Sequence, residues 1–132
     1  MGSMSDYAEN KILEHLVGKT SWTKPTAYLA LSTADPGDSG SGLTEPSGFA
    51  YARKATAGSD WEAATGGSIT NATELDFPAA SGGSWGTITH LALMDNSTGG
   101  NMLASTALNS PQPIPNGNQA KFGPGTIILT LD

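Results

Sequence analysis

The chain has 132 residues, a net charge of −6, 17 Gly and 8 Pro, and its 14% of charged residues is well below the roughly 25% of ordinary soluble domains. Six scattered Lys and Arg cannot make the cationic cluster that phosphates require, which excludes nucleic acid as a main partner, and so little charge also argues against a coiled coil. No Cys is present, so there is no disulfide, thiol nucleophile or thiolate zinc site; the longest apolar run, Ala27 to Leu31, is far below the roughly 20 residues of a membrane span, and no membrane insertion is expected.

A chain of this length predicts one domain, over residues 4–132, with Met1-Gly2-Ser3 ahead of a second Met4 reading as a cloning remnant (1–3). The first element is the only one with helical period. Ala8, Ile12, Leu13, Leu16 and Val17 fall on one stripe and predict a helix over 7–17. Asp6 and Glu9 have capping-box spacing at its start, and Gly18 can take the left-handed conformation that ends it. About three turns are not stable alone, so the stripe must dock. It can close an open end of a β domain or meet a partner, and the former is preferred because the chain has so little other helix.

After Pro25 the period becomes two. Ala27, Leu29 and Leu31 alternate with Tyr28, Ala30 and Ser32; Trp85 to Met94 follows, and Ile127, Leu129 and Leu131 close the chain. Weaker strands are expected at Phe49 to Ala55, Ser68 to Asn71, Thr73 to Phe77, Met102 to Leu108 and Gln119 to Phe122, separated by Gly, Pro, Asn and Ser. About eight short strands at this spacing predict an all-β fold, a single antiparallel β-sandwich of jelly-roll or immunoglobulin-like type with one N-terminal helix. The clearest hairpin joins Leu91 to Met94 with Asn101 to Ala104 through Asp95 to Gly100. The longest loop, Ala34 to Gly48, is almost pure turn chemistry, and loops of that length are commonly functional or mobile.

No pattern supports catalysis. Only His15 and His90 could serve as a base for a Ser or Thr nucleophile, and no Gly-x-Ser-x-Gly elbow accompanies them. Glu74 and Asp76 lie opposite Leu75 and Phe77 by period two, which makes them the solvated face of a half-buried strand rather than a glycosidase pair. Asp35-Pro36-Gly37-Asp38 and Asp95-Asn96-Ser97 lack the closing Glu of a calcium loop and read as turns. Neither metal nor cofactor is expected. Trp22, Trp61 and Trp85 could stack on sugars, although core or interface anchoring is the preferred reading. Trp61, with Asp35 and Asp38 of the long loop, forms the candidate contact set for a glycan or a partner.

Several stretches in order along the chain resemble a family of small virion structural proteins of tailed phages assigned to the tail or tail fibre. They include Val17-Gly18-Lys19, Trp22-Thr23-Lys24-Pro25-Thr26, Leu29 to Pro36, Gly48 to Arg53, Ile69-Thr70-Asn71, Leu75 to Pro78, Trp85 to His90, Thr98 to Leu103, Phe122 to Gly125 and Ile128 to Asp132. The resemblance implies a non-enzymatic all-β component of the virion, assembled in the cytoplasm of the host bacterium and working through other virion proteins. It leaves tail fibre, neck and capsid decoration open. A surface of Ser, Thr, Asn and Gly agrees with repeated subunit contacts and a homo-oligomer, because interface cores are depleted in charge. A carbohydrate-binding module that recognises a host surface glycan is the alternative.

Overall fold

The computed structural model describes residues 3–131; two of the three positions of the expected cloning remnant, Met1 and Gly2, lie outside the described residues, as does Asp132. Nine strands and one α-helix form among the described residues. They are β1 (Ser3–Met4), α1 (Asp6–Leu16), β2 (Tyr28–Ser32), β3 (Lys54–Ala55), β4 (Ser68–Thr70), β5 (Leu75–Asp76), β6 (Thr87–Met94), β7 (Met102–Pro113), β8 (Lys121–Phe122) and β9 (Ile128–Thr130). All pairings are antiparallel: a five-stranded sheet in the order β1-β7-β6-β2-β3, and two ribbons, β4-β9 and β5-β8. This is the all-β sandwich with an N-terminal helix that the sequence predicts.

The two faces of the main sheet are covered differently. Leu29 and Leu31 of β2 and Ile88 and Leu91 of β6 point into one core with Leu75 and Phe77, Ile114 and Ile127, so the ribbons form the second layer. Aromatic rings knit this core: Tyr51 meets Trp85 edge-on with centroids 5.1 Å apart, and Phe77 meets Phe122 at 6.1 Å. On the opposite face Ala30, Ala92, Met94 and Met102 pack beneath Leu43 and Tyr28. Small Ala side chains there let the long loop lie close to the sheet, which is why β2 is buried on both sides instead of alternating.

Three local outcomes differ from the periodicity. Ser5 caps α1, not Asp6: its buried hydroxyl accepts from the Ala8 N–H at 3.1 Å and donates to the Met102 carbonyl. The far end behaves as expected, since Gly18 has φ +75° and the N–H groups of Gly18 and Lys19 reach the His15 and Glu14 carbonyls, a Schellman arrangement. The strand expected over Phe49 to Ala55 shrinks to Lys54–Ala55. Phe49 and Ala50 hold positive φ (52° and 66°), a costly conformation for residues with a Cβ, fixed by hydrogen bonds from Trp85 Nε1 (2.9 Å) and Ser81 N (3.0 Å) to the Phe49 carbonyl. Finally, β7 runs on past Leu108 to Pro113. Ala107 pairs with His90 and Gln112 with Ile88, so Leu108 to Pro111 stand as a four-residue excursion opposite Thr89 alone.

Candidate functional site

The Ala34 to Gly48 loop is an ordered cover. Its own turns close with Gly42 N to Pro36 O at 3.0 Å, Leu43 N to Gly40 O at 3.1 Å and Thr33 N to Thr44 O at 2.9 Å, and the Ser32 hydroxyl accepts from Thr44 N at 3.0 Å. Beneath it lies a charged clamp. Arg53 Nε and Nη2 donate to the two oxygens of Glu45 at 2.9 and 2.8 Å, while Nη1 donates to the carbonyls of Asn96 (2.7 Å) and Gly99 (2.8 Å) in the β6-β7 turn. Tyr51 completes it: its hydroxyl donates to Glu45 Oε1 at 2.7 Å and accepts from Leu31 N at 3.1 Å. Burial alone would raise the Glu45 carboxyl, but the hydrogen bonds from Arg53 and Tyr51 and the Arg53 charge outweigh it and hold the pKa below the ordinary value. Burial, then the Glu45 hydrogen bond, pushes the Tyr51 phenol upward.

The three candidate residues are not gathered into one site. Asp35 is exposed, its Oδ1 accepting from Gly37 N at 2.9 Å and lying 3.8 Å from His90 Nε2. Asp38 is exposed too, and its carbonyl accepts from Asp6 N at 3.1 Å, tying the loop to the start of α1. Trp61 is half-buried against the core, with Nε1 donating to Thr56 Oγ1 at 3.2 Å. Among the described residues no hydrogen bond, ion pair or ring contact joins Trp61 to either aspartate. Of the other tryptophans, Trp85 is buried and Trp22 meets Tyr7 edge-on at 6.5 Å.

Thr89, His90 and Asp35 line up in the order of a nucleophile, a base and an acid, with 2.8 Å between Thr89 Oγ1 and His90 Nδ1. The 3.8 Å from His90 to Asp35 is too long for a hydrogen bond, and the Asp35 side chain is 76% exposed, so the imidazole is not held as a catalytic base requires. No group of three His, Asp or Glu is arranged to hold a metal ion among the described residues, and no helix there is long and apolar enough to cross a membrane.

Two surfaces differ from what the sequence predicts. The first is the outer half of α1. Ser5 and Ala8 are buried at its start, but Leu13, Leu16 and Val17 are 58, 76 and 74% exposed, so the helix closes the sandwich only with its first turns. The second is a cleft of about 550 Å³ between the β7 excursion and β8. Leu31, Ile88, Ile114 and Phe122 line its apolar part; Asn109, Ser110 and Gln112 face Gln119, Lys121 and Thr126 across it. The sole hint in the sequence was Pro111 and Pro113, which are compatible with a strand only at an edge or a bulge.

The described residues form a small all-β protein with one N-terminal helix. A family model described as "Podophage GP4 fiber I protein gp80" matches residues 3–130, and the chain belongs to this family of phage fibre structural proteins. No curated protein matches the chain.

Proposed function

We propose that this fibre-family protein is a non-enzymatic virion component that folds as one domain, self-associates and docks on the particle, with the outer half of α1 as the contact between copies. The observation that carries this reading is the trio Leu13, Leu16 and Val17, at i, i+3 and i+4 on one helix face and all more than half exposed. Burying one such side chain is worth about 1.5–3 kcal/mol, and large apolar groups left together in solvent mark an interaction surface. The rest of the helix is held rigidly by the Ser5 cap and the Asp6 link to Asp38, so the stripe is presented at little further entropic cost. Membership of a fibre family favours the tail fibre over capsid decoration. The charge of −6 keeps unassembled subunits apart until many contacts form together in the host cytoplasm.

Light scattering coupled to size exclusion tests this. The protein should run as a homo-oligomer, and Leu16→Asp with Val17→Asp should return it to a folded monomer, because both positions are at the surface. A wild-type protein that stays monomeric at every concentration, or a double variant that still associates, would count against the α1 contact.

A further inference from the structure

Resting on the α1 contact proposed above, we infer that the exposed stripe of α1 docks in the cleft between the β7 excursion and β8 of a second copy, so that copies join head to tail. The two surfaces sit toward opposite ends of β7. Ser5, at the start of α1, donates to the carbonyls of Met102 and Leu103 just after the β6-β7 turn, whereas the cleft opens at Asn109, Ser110 and Gln112. From Leu103 to Asn109 the strand covers roughly 20 Å at about 3.3 Å per residue. No residue of α1 lines the cleft, and Leu13, Leu16 and Val17 stay exposed, so a chain does not satisfy its own stripe. A contact between two different surfaces repeats from copy to copy and closes a ring or extends a filament.

The cleft suits an apolar helix face. Its volume of about 550 Å³ is several times the roughly 150 Å³ that admits a benzene-sized group, and the half-buried Leu108 and Phe122 still have surface to lose. Its polar groups make little demand on a ligand: Gln119 Nε2 donates to the Phe77 carbonyl at 2.6 Å, the Thr126 hydroxyl to the Gly123 carbonyl at 2.7 Å and Gln112 Nε2 to the Ser110 hydroxyl at 3.4 Å. Anchors at i, i+3 and i+4, as in Leu13, Leu16 and Val17, are how an amphipathic helix lies in a groove. Charge agrees with this occupant. The chain carries −6, yet among the described residues no Asp or Glu lines the cleft, and its one charged residue, Lys121, is exposed at the rim, across from Asp76 in the β5-β8 register. The α1 face carries the opposite sign, with Glu9 exposed one turn before Leu13. Rim charges of this kind orient the incoming helix and contribute little to affinity, which comes from the apolar anchors.

Mixing two assembly-defective variants tests the pairing, again by light scattering coupled to size exclusion. Leu16→Asp/Val17→Asp keeps the cleft, and Asn109→Glu/Ser110→Glu, at two exposed positions of the cleft wall, keeps the helix. Each alone should be monomeric, with thermal unfolding as the check that the fold is intact. An equimolar mixture should form a heterodimer with one copy of each, because one intact helix then meets one intact cleft. Gln112→Glu alone, also at an exposed position, should weaken association about tenfold or more by setting a carboxylate against the apolar stripe. Cleft variants that associate as the wild type does, or a mixture that gives no heterodimer, would show that α1 meets some surface other than the cleft; that overturns this inference and leaves the α1 contact standing. A wild-type protein that is monomeric at every concentration overturns both.

Discussion

Arg53 holds Glu45 in a two-pronged grip, Nε to Oε1 at 2.9 Å and Nη2 to Oε2 at 2.8 Å, while its remaining terminal nitrogen reaches across to the β6-β7 turn. The pair therefore joins three segments distant in sequence: the long loop, the strand entry at Arg53 and the hairpin tip. The Arg53 side chain is 5% exposed and that of Glu45 23%, so removing either partner strands a charge away from water. Breaking a fully buried pair costs about 3–5 kcal/mol, and partial exposure of Glu45 lowers the expectation for Glu45→Gln to about 2–3 kcal/mol. Arg53→Lys should cost a comparable amount, because one ammonium cannot make the planar fork and reach both carbonyls. Urea denaturation of the two variants checks this, and a loss below about 0.5 kcal/mol in both would contradict a structural role for the clamp.

The same carboxylate gives the protein a defined acid limit. Its folded pKa lies below the ordinary 4.5, so the unfolded chain takes up the proton first as pH falls. The stabilisation is full above about pH 4.5 and is lost as pH drops through the folded pKa. Asp60 acts in the same direction, lowered by hydrogen bonds from the Ala57 N–H and the Thr73 hydroxyl. Unfolding free energy measured from pH 7 to pH 3 should fall below pH 4.5, and Glu45→Gln should flatten part of that fall. An unchanged slope in the variant would assign acid sensitivity to other groups.

Two adjacent glycines in the hairpin turn should respond unequally to a methyl group. Gly99 and Gly100 both have positive φ, 58° and 73°, so alanine is strained at either position. A Cβ on Gly99 meets open space, whereas one on Gly100 collides with the Asp95 carboxylate that accepts from Asn101 N at 2.7 Å. Gly99→Ala should cost about 1 kcal/mol for the conformer alone. Gly100→Ala should cost about 2–3 kcal/mol, since it also dislodges the Asp95 bonds that close the turn. Equal losses in thermal unfolding would show that the contact with Asp95 is irrelevant.

The parts legible in the sequence are those with a local signature. Leu29 and Leu31, Leu75 and Phe77, and the Asp95 to Gly100 turn announce strands and a hairpin because alternation and turn chemistry act over a few residues. β1 has no such signature: Ser3 and Met4 become a strand only by pairing with Ser105 and Ala104, about a hundred residues away. The helical stripe was visible, but which half docks depends on where the long loop and β7 lie. Arg53 looked like one of six scattered cations, since two of its acceptors are backbone carbonyls that only the folded hairpin presents. The cleft draws on residues from Leu31 to Thr126, a range over which periodicity carries no information.

Asn71 offers the sharpest test of how the second layer is held. Its side chain is buried with 1% exposure, at the junction of β4, β5 and the turn before β9. Nδ2 donates to the carbonyls of Thr73 at 2.9 Å and Gly123 at 2.8 Å, and Oδ1 accepts from the Ile127 N–H at 2.9 Å. Each amide atom thus has the one polarity its surroundings accept. Asn71→Asp keeps the shape but turns a buried oxygen toward two carbonyl oxygens, so the variant must carry an unpaired charge or bind a proton. A destabilisation of about 3–4 kcal/mol at pH 7 is expected. Because burial among carbonyls disfavours the carboxylate, the folded variant binds a proton more readily than its unfolded chain. Its deficit relative to the wild type should therefore be largest above the folded pKa and should narrow as pH falls toward the unfolded carboxylate value of about 3.9. Denaturation of both proteins at matched pH values measures the difference, and a deficit that does not shrink in acid would mean that the introduced carboxylate has found another donor.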